Sequence, residues 1–254
     1  MNNQHKTSWP FLILLTIAAC VGEFLFVYEA LGDAPQAQQF FVRRPIIAEQ
    51  EIAEEDALPD ETVPVVIPAR FALNVPFTSQ APHANWELPY QEACEEASAL
   101  TVHYFYSGKT FTLDSADEAL LGVVDFENEY FGYYKDTTAA ETAELMQAYW
   151  GYTHVDVLED PTVLELKGHI AAGRPVIVPA AGKQLGNPNF SNDGPLYHML
   201  VLTGYTEDAF ITNDVGTRLG EDYVYQIDTI MDAMHDWNNG DVENGAKRVI
   251  VAWP

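Results

Sequence analysis

The sequence predicts an α+β domain in which N-terminal helices pack on a mostly antiparallel sheet. Helical patterns with their own start and stop signals fill the first part of the domain. Short β-rich runs then replace them, and helices followed by strands is the order of an α+β fold rather than of a parallel α/β sheet. Hydrophobic residues make up 48% of the 254 residues, enough to bury a core of ordinary size.

The elements follow in order. Phe71 to Pro76 alternates apolar and polar residues, as a half-buried strand does, and leads into a loop from Thr78 to Pro89. Tyr90 to Tyr106 is expected to be a helix, because Cys94, Ala97, Ser98, Thr101, Val102 and Phe105 form a small or apolar stripe; Gly108 ends it. Ser115 with Glu118 has the spacing of a capping box and opens a second helix to about Tyr130. Thr138 with Glu141 repeats that spacing for a third, to about Trp150. Asp160-Pro161 starts a fourth, which runs to Gly173 with the proline in its first turn. The β-rich runs are Pro175 to Pro179, Met199 to Thr203, Ala209 to Thr212, Asp222 to Gln226 and Arg248 to Trp253, with one late helix from Ile227 to Trp237.

Three segments divide the chain. Residues 1–28 hold an apolar run, Phe11 to Tyr28, of eighteen residues with Glu23 as its one charge. That length just crosses a bilayer. With Lys6 before the run and Glu29 and Asp33 after it, the expected orientation leaves the N-terminus in the cytoplasm and the remainder outside. A signal anchor is preferred over a cleaved signal peptide. It is also preferred over a lipoprotein signal at Cys20, because Phe24 to Val27 continue the apolar run. Residues 29–70 are an acidic, proline-containing linker, and residues 71–254 form the folded domain.

Thirty-eight acidic residues against twelve basic ones give a formal charge of −26. Such a chain repels nucleic acid, so no nucleic-acid partner is expected. The sequence has no HExxH, CxxC or EF-hand pattern, so neither a metal nor a cofactor is expected. Ser107-Gly108-Lys109-Thr110 resembles the end of a phosphate loop, but His103 stands where the upstream glycine belongs.

Cys94 is the one cysteine of the domain. It comes early in its helix, where free N–H groups favour a thiolate and can hold an oxyanion. Glu92, Glu95 and Glu96 oppose this, since nearby carboxylates raise a thiol pKa. Offset from Cys94 by one or two residues, they are expected to face solvent. His103, nine residues along, lies on the opposite side of the helix, whereas His83 in the upstream loop stays open as a partner. His198 opens a strand beside the Gly/Asn/Pro-rich loop Gly182 to Pro195, a placement suited to a base on a rigid element. Asp214 ends the next strand, where it would orient an imidazole; Asn213 is the alternative, and strand alternation lets only one of them serve. Trp86 and Tyr197 flank these residues as candidate walls of a substrate groove.

The runs VPFTSQAPHANWELPYQEACEEAS (Val75 to Ser98), YHMLVLTGY (Tyr197 to Tyr205) and ITND (Ile211 to Asp214) resemble the bacteriocin-processing, double-glycine branch of the papain-like cysteine peptidases. The order Gln, Cys, His, Asp and the sixteen-residue step from His198 to Asp214 suit that branch. The resemblance implies a papain-like fold, a thiolate–imidazolium pair of Cys94 and His198, and Asp214 behind the base. It also implies a glutamine that donates to the oxyanion, matched by Gln80 in preference to Gln91. Glu95-Glu96 stands where the family often has Gly-Pro. The activity implied is an extracytoplasmic, membrane-anchored thiol hydrolase acting on peptide or isopeptide bonds of a peptide or protein substrate. An acyl transferase of the same fold and an inactive surface-binding module are the alternatives.

Overall fold

A computed structural model describes residues 67–254, which all fall within one compact unit. The signal anchor or signal peptide assigned to residues 1–28 and nearly all of the linker lie outside the described residues. Among the described residues, no helix is long and apolar enough to cross a membrane. Packing begins before the expected boundary at residue 71, since Ile67 already lies against the core.

Five helices and seven strands make up the domain. In chain order they are β1 (Phe71–Ala72), α1 (Cys94–Ser107), α2 (Leu113–Tyr130), α3 (Ala139–Trp150), β2 (His154–Glu159), α4 (Val163–Ala171), β3 (Val176–Ala181), β4 (Tyr197–Tyr205), β5 (Ala209–Asn213), β6 (Tyr223–Gln226), α5 (Ile227–Ala233) and β7 (Arg248–Trp253). The strands form one antiparallel sheet in the order β2-β7-β3-β4-β5-β6, with β1 added to the end of β4.

The sheet is covered on both faces, and this explains its sequence. Along β3, β4 and β7 the side chains alternate between two cores. Val176, Val178, Leu200, Leu202, Val249 and Val251 join Leu166 and Ile170 of α4 and Ile230 of α5. Ile177, Met199, Val201, Ile250 and Ala252 turn the other way, onto Ala99 and Val102 of α1 and Ala143 and Met146 of α3. A strand buried on both faces reads as a continuous apolar run, which is the character of PVIVP and MLVLT. Truncating a residue such as Leu200 to alanine costs about 2–5 kcal/mol, because its cavity cannot be refilled.

Several boundaries differ from expectation for local reasons. The first helix does not run from Tyr90. Tyr90–Glu92 form a 3-10 turn, Ala93 breaks it at φ −114° and ψ 32°, and the α-helix starts at Cys94 itself. The second helix is capped by Thr112, not Ser115; Thr112 accepts from the Ser115 N–H while Ser115 caps back. The Thr138–Glu141 capping box forms as expected. Thr162 caps the next helix through Glu165, which leaves Pro161 outside its first turn. The late helix stops at Ala233 instead of Trp237. The expected strand from Phe71 to Pro76 shrinks to two residues. β2 was not foreseen; its sequence HVDVLE alternates, and it pairs along its whole length with β7.

A bulge in the β4–β5 pairing between Leu202 and Gly204 sets the register of the following turn. Gly204 is required there, because a Cβ would sit 2.8 Å from the Phe71 carbonyl oxygen and 2.9 Å from Ala72 Cα.

Candidate active site

A cavity of about 770 Å³ opens where the start of α1, the start of β4 and the turn after β5 converge. Gln80, Trp86, Cys94, Glu95, Tyr197, His198 and Gly216 line it. Of the sequence-selected site residues, Cys94, His198, Gln80, Trp86 and Tyr197 are in that lining, and Asp214 lies directly behind His198.

The imidazole is held from behind. His198 Nε2 lies 2.8 Å from Asp214 Oδ1, with both side chains buried. No hydrogen bond among the described residues uses Nδ1. Asp214 is fixed by four donors: His198 and the Gly216 N–H (3.1 Å) on Oδ1, and Asn187 Nδ2 (2.9 Å) and the Tyr225 hydroxyl (2.6 Å) on Oδ2. Burial alone would raise its pKa, yet the charge and hydrogen bond of His198 and the bonds from Tyr225 and Asn187 win, holding the carboxylate below its ordinary range. Asp214 and Asn213 point apart, as strand alternation requires. Asn213 Nδ2 binds the carbonyls of Val75 (3.1 Å) and Pro76 (3.2 Å), which ties down the segment leading to Gln80.

Two residues in this arrangement had no signal in the sequence, Asn187 and Tyr225. Asn187 sits in the loop after β3 and bridges Asp214 and the Tyr225 hydroxyl, the latter at 2.8 Å. Only the folded loop brings them to the carboxylate. Gly216 is a further case. A Cβ there would lie 2.7 Å from His198 Cε1 and 3.0 Å from Phe190, whose ring meets the imidazole edge-on at 5.4 Å.

Cys94 is 6% exposed and heads α1. The backbone N–H of Met199, the residue after His198, favours the thiolate form of Cys94. The sulfur lies 3.1 Å from Glu95 Oε2. Glu95 and Glu96 do not face solvent as expected; they are 1% and 0% exposed. A helix that begins at Cys94 puts both in its first turn, where α2 and the loop after it cover them. Burial foremost, then the Glu95 and Glu96 carboxyls, push the thiol well above its usual value. Burial foremost, then the neighbouring Glu127 carboxyl of α2, raises Glu96 too.

Gln80 lines the cavity, with its backbone N–H on the Val215 carbonyl. Its side-chain Nε2 donates to the carbonyls of Tyr90 (2.8 Å) and Gln91 (3.1 Å), and its Oε1 is buried without a partner. Gln91 lines the same cavity. Trp86 is 41% exposed at the rim. Tyr197 presents its ring, while its hydroxyl is held inside by the Thr137 carbonyl and Asp236. His83 does not line the cavity and faces Asp114 instead, at 3.3 Å. His103 stacks on Trp150. Among the described residues, no cluster suits a metal ion.

A cysteine at a helix start and a carboxylate-backed histidine on a facing strand, both lining one cavity, form the arrangement of a thiol hydrolase. Residues 72–241 match the Peptidase_C39 like family, which is most of the domain, and the chain belongs to that family. It is a cysteine peptidase of papain-like α+β fold, and peptides or proteins are what such an enzyme acts on. A solved structure from Bacillus anthracis, described as a provisional C39-like peptidase, is similar at 18% identity with a TM-score of 0.49, covering 73% of this chain and 98% of the other. No curated protein matches the chain.

Proposed function

We propose that Cys94 is the nucleophile of this peptidase, His198 its base and Asp214 the residue that orients the base. The observation that carries this reading is the 2.8 Å pair between His198 Nε2 and Asp214, which leaves Nδ1 as the proton acceptor in a cavity shared with Cys94. The Cys94 S–H proton passes to Nδ1 as sulfur attacks the scissile carbonyl carbon. The oxyanion is met by the Cys94 N–H at the helix start. Gln80 adds a second donor by releasing one of its two carbonyl partners, since both N–H bonds are engaged in the free enzyme. The imidazolium then gives its proton to the departing amine. Water, deprotonated by the same Nδ1, releases the thioester as a carboxylic acid.

The full chain works on the outer side of a membrane in this proposal, tethered by the apolar run Phe11 to Tyr28. The acidic linker that follows gives the domain reach.

The deciding experiment is digestion of a mixed peptide library by the full chain and by Cys94→Ala, followed by mass spectrometry. Loss of cleavage in the variant is expected. Full cleavage by Cys94→Ala would sink the proposal, and products joined through new amide bonds would make the enzyme a transferase. Protease accessibility in intact cells tests location: the domain is expected to be digested from outside.

A further inference from the structure

The acidic residue beside the nucleophile calls for a role. Glu95 Oε2 lies 3.1 Å from Cys94 Sγ, both side chains are buried, and both line the cavity that holds His198. An ionised carboxylate at that distance opposes the charge a thiolate must carry, so a peptidase that kept Glu95 ionised would be working against its own nucleophile.

The groups facing Glu95 settle which form it takes. Glu92 and Glu96 flank it on the same stretch of chain. Glu127 faces it from α2, and Asp136 and Tyr134 from the loop between α2 and α3. Tyr197 faces it from β4, and His198 lies beyond the sulfur. Arg218 lines the same cavity, yet none of the ion pairs among the described residues includes Glu95, Glu96 or Glu127. Glu96 and Glu127 have all four carboxyl oxygens buried without a hydrogen-bond donor. A dry surrounding dominated by acids favours a neutral carboxyl.

We propose that Glu95 works as a neutral acid, its carboxyl O–H donating to the Cys94 sulfur while the S–H proton leaves for His198 Nδ1. One S–H bond breaks and one N–H bond forms; the Glu95 proton stays on its oxygen and, with the Met199 N–H, solvates the new thiolate. Burial, reinforced by Glu127 and Asp136, lifts the Glu95 carboxyl to about 8, so it holds its proton through neutral pH and loses it just above. Ionisation of Glu95 therefore switches the nucleophile off. This rests on Cys94 being the nucleophile.

The test is the pH profile of Cys94 alkylation by iodoacetamide in the full chain, read by mass spectrometry on the peptide containing Cys94. The wild-type rate is expected to hold through neutral pH and to fall about tenfold above pH 8, the effect of one nearby charge on a thiol. Glu95→Gln keeps the donor and removes the ionisation; it should abolish that fall and label about tenfold faster than wild type at pH 9. A fall caused by loss of the imidazolium proton would instead move to lower pH, because removing a carboxylate disfavours a nearby cation. Superimposed profiles, or a fall shifted downward in Glu95→Gln, overturn the proposal. So does a wild-type rate that climbs without any fall, a measurement independent of how the variant folds. Cleavage surviving Cys94→Ala would remove the nucleophile assignment itself. A required, reactive Cys94 without a Glu95-dependent limb would remove only the role of Glu95.

Discussion

The Tyr225 hydroxyl donates a 2.6 Å hydrogen bond to Asp214 Oδ2, the oxygen that His198 leaves free. Oδ1 is thereby reserved for the imidazole, and the carboxylate cannot rotate away from it. A hydrogen bond to a charged group is worth about 1.5–3 kcal/mol. Burial foremost, then the charge and hydrogen bond of Asp214, raise the Tyr225 phenol far above its ordinary value, so it stays a donor throughout the working pH range.

With His198 as the base, as proposed above, Tyr225→Phe should lower kcat by about tenfold and leave KM nearly unchanged, since the bond would steady the base without touching substrate. Steady-state kinetics on a cleaved peptide check this. A KM effect of that size with kcat intact would place Tyr225 in substrate binding instead. Asn187→Ala is expected to act in the same direction, because its amide serves the same oxygen.

Gly216→Ala separates position from stability. The added methyl would meet His198 Cε1 at 2.7 Å and the Phe190 ring at 3.0 Å, so the imidazole must swing off Asp214. A misplacement near 1 Å in a catalytic group costs about 10²-fold. That loss in kcat, accompanied by a change in Tm of only a few degrees, is the expected outcome. Thermal melting measured beside activity distinguishes it from plain unfolding.

How much of this was legible in the sequence differs from residue to residue. Pro175 to Pro179 and Met199 to Thr203 announced themselves because a strand buried on both faces is apolar throughout. The step from His198 to Asp214 was legible as spacing, but the choice between Asp214 and Asn213 was not. The bulge between Leu202 and Gly204 fixes it, and a bulge depends on the approach of Phe71 and Ala72 from far along the chain. Glu95 and Glu96 misled for a related reason. Their offset from Cys94 described the helix correctly, but nothing local records that α2 and the loop after it close over them. β2 was missed because half of its residues face solvent and its partner β7 lies at the other end of the domain.

Gln80 carries a prediction that its geometry makes two-sided. Removing one oxyanion donor costs about 10²–10³ in kcat. Gln80→Ala should fall in that range if the amide turns to the oxyanion during turnover. It also frees the Tyr90 and Gln91 carbonyls just before α1, so a stability loss accompanies it. Gln80→Glu is the sharper variant: a carboxylate cannot donate to an anion and should be at least as inactive. Equal activity of Gln80→Ala and wild type would confine the residue to bracing the 3-10 turn.

The buried pair Glu96 and Glu127 makes stability depend on pH in a definite direction. Burial raises both carboxyls in the folded chain, Glu127 from 4.5 to about 7 and Glu96 well above 4.5. The folded state then binds more protons than the unfolded state between the ordinary carboxyl value and these raised values. Stability from this source is complete below the unfolded value, declines as pH rises through the folded values, and levels off beyond them. The domain should melt about 5 °C higher at pH 5 than at pH 8, a shift that roughly two kcal/mol produces in a chain of this size. Glu96→Gln or Glu127→Gln removes one of the two ionisations and should shrink that difference, chiefly by raising the melting temperature at pH 8. Thermal melts of the three proteins at both pH values check it. A difference unchanged in both variants would assign the pH dependence to Glu95 and the remaining acidic surface rather than to this pair.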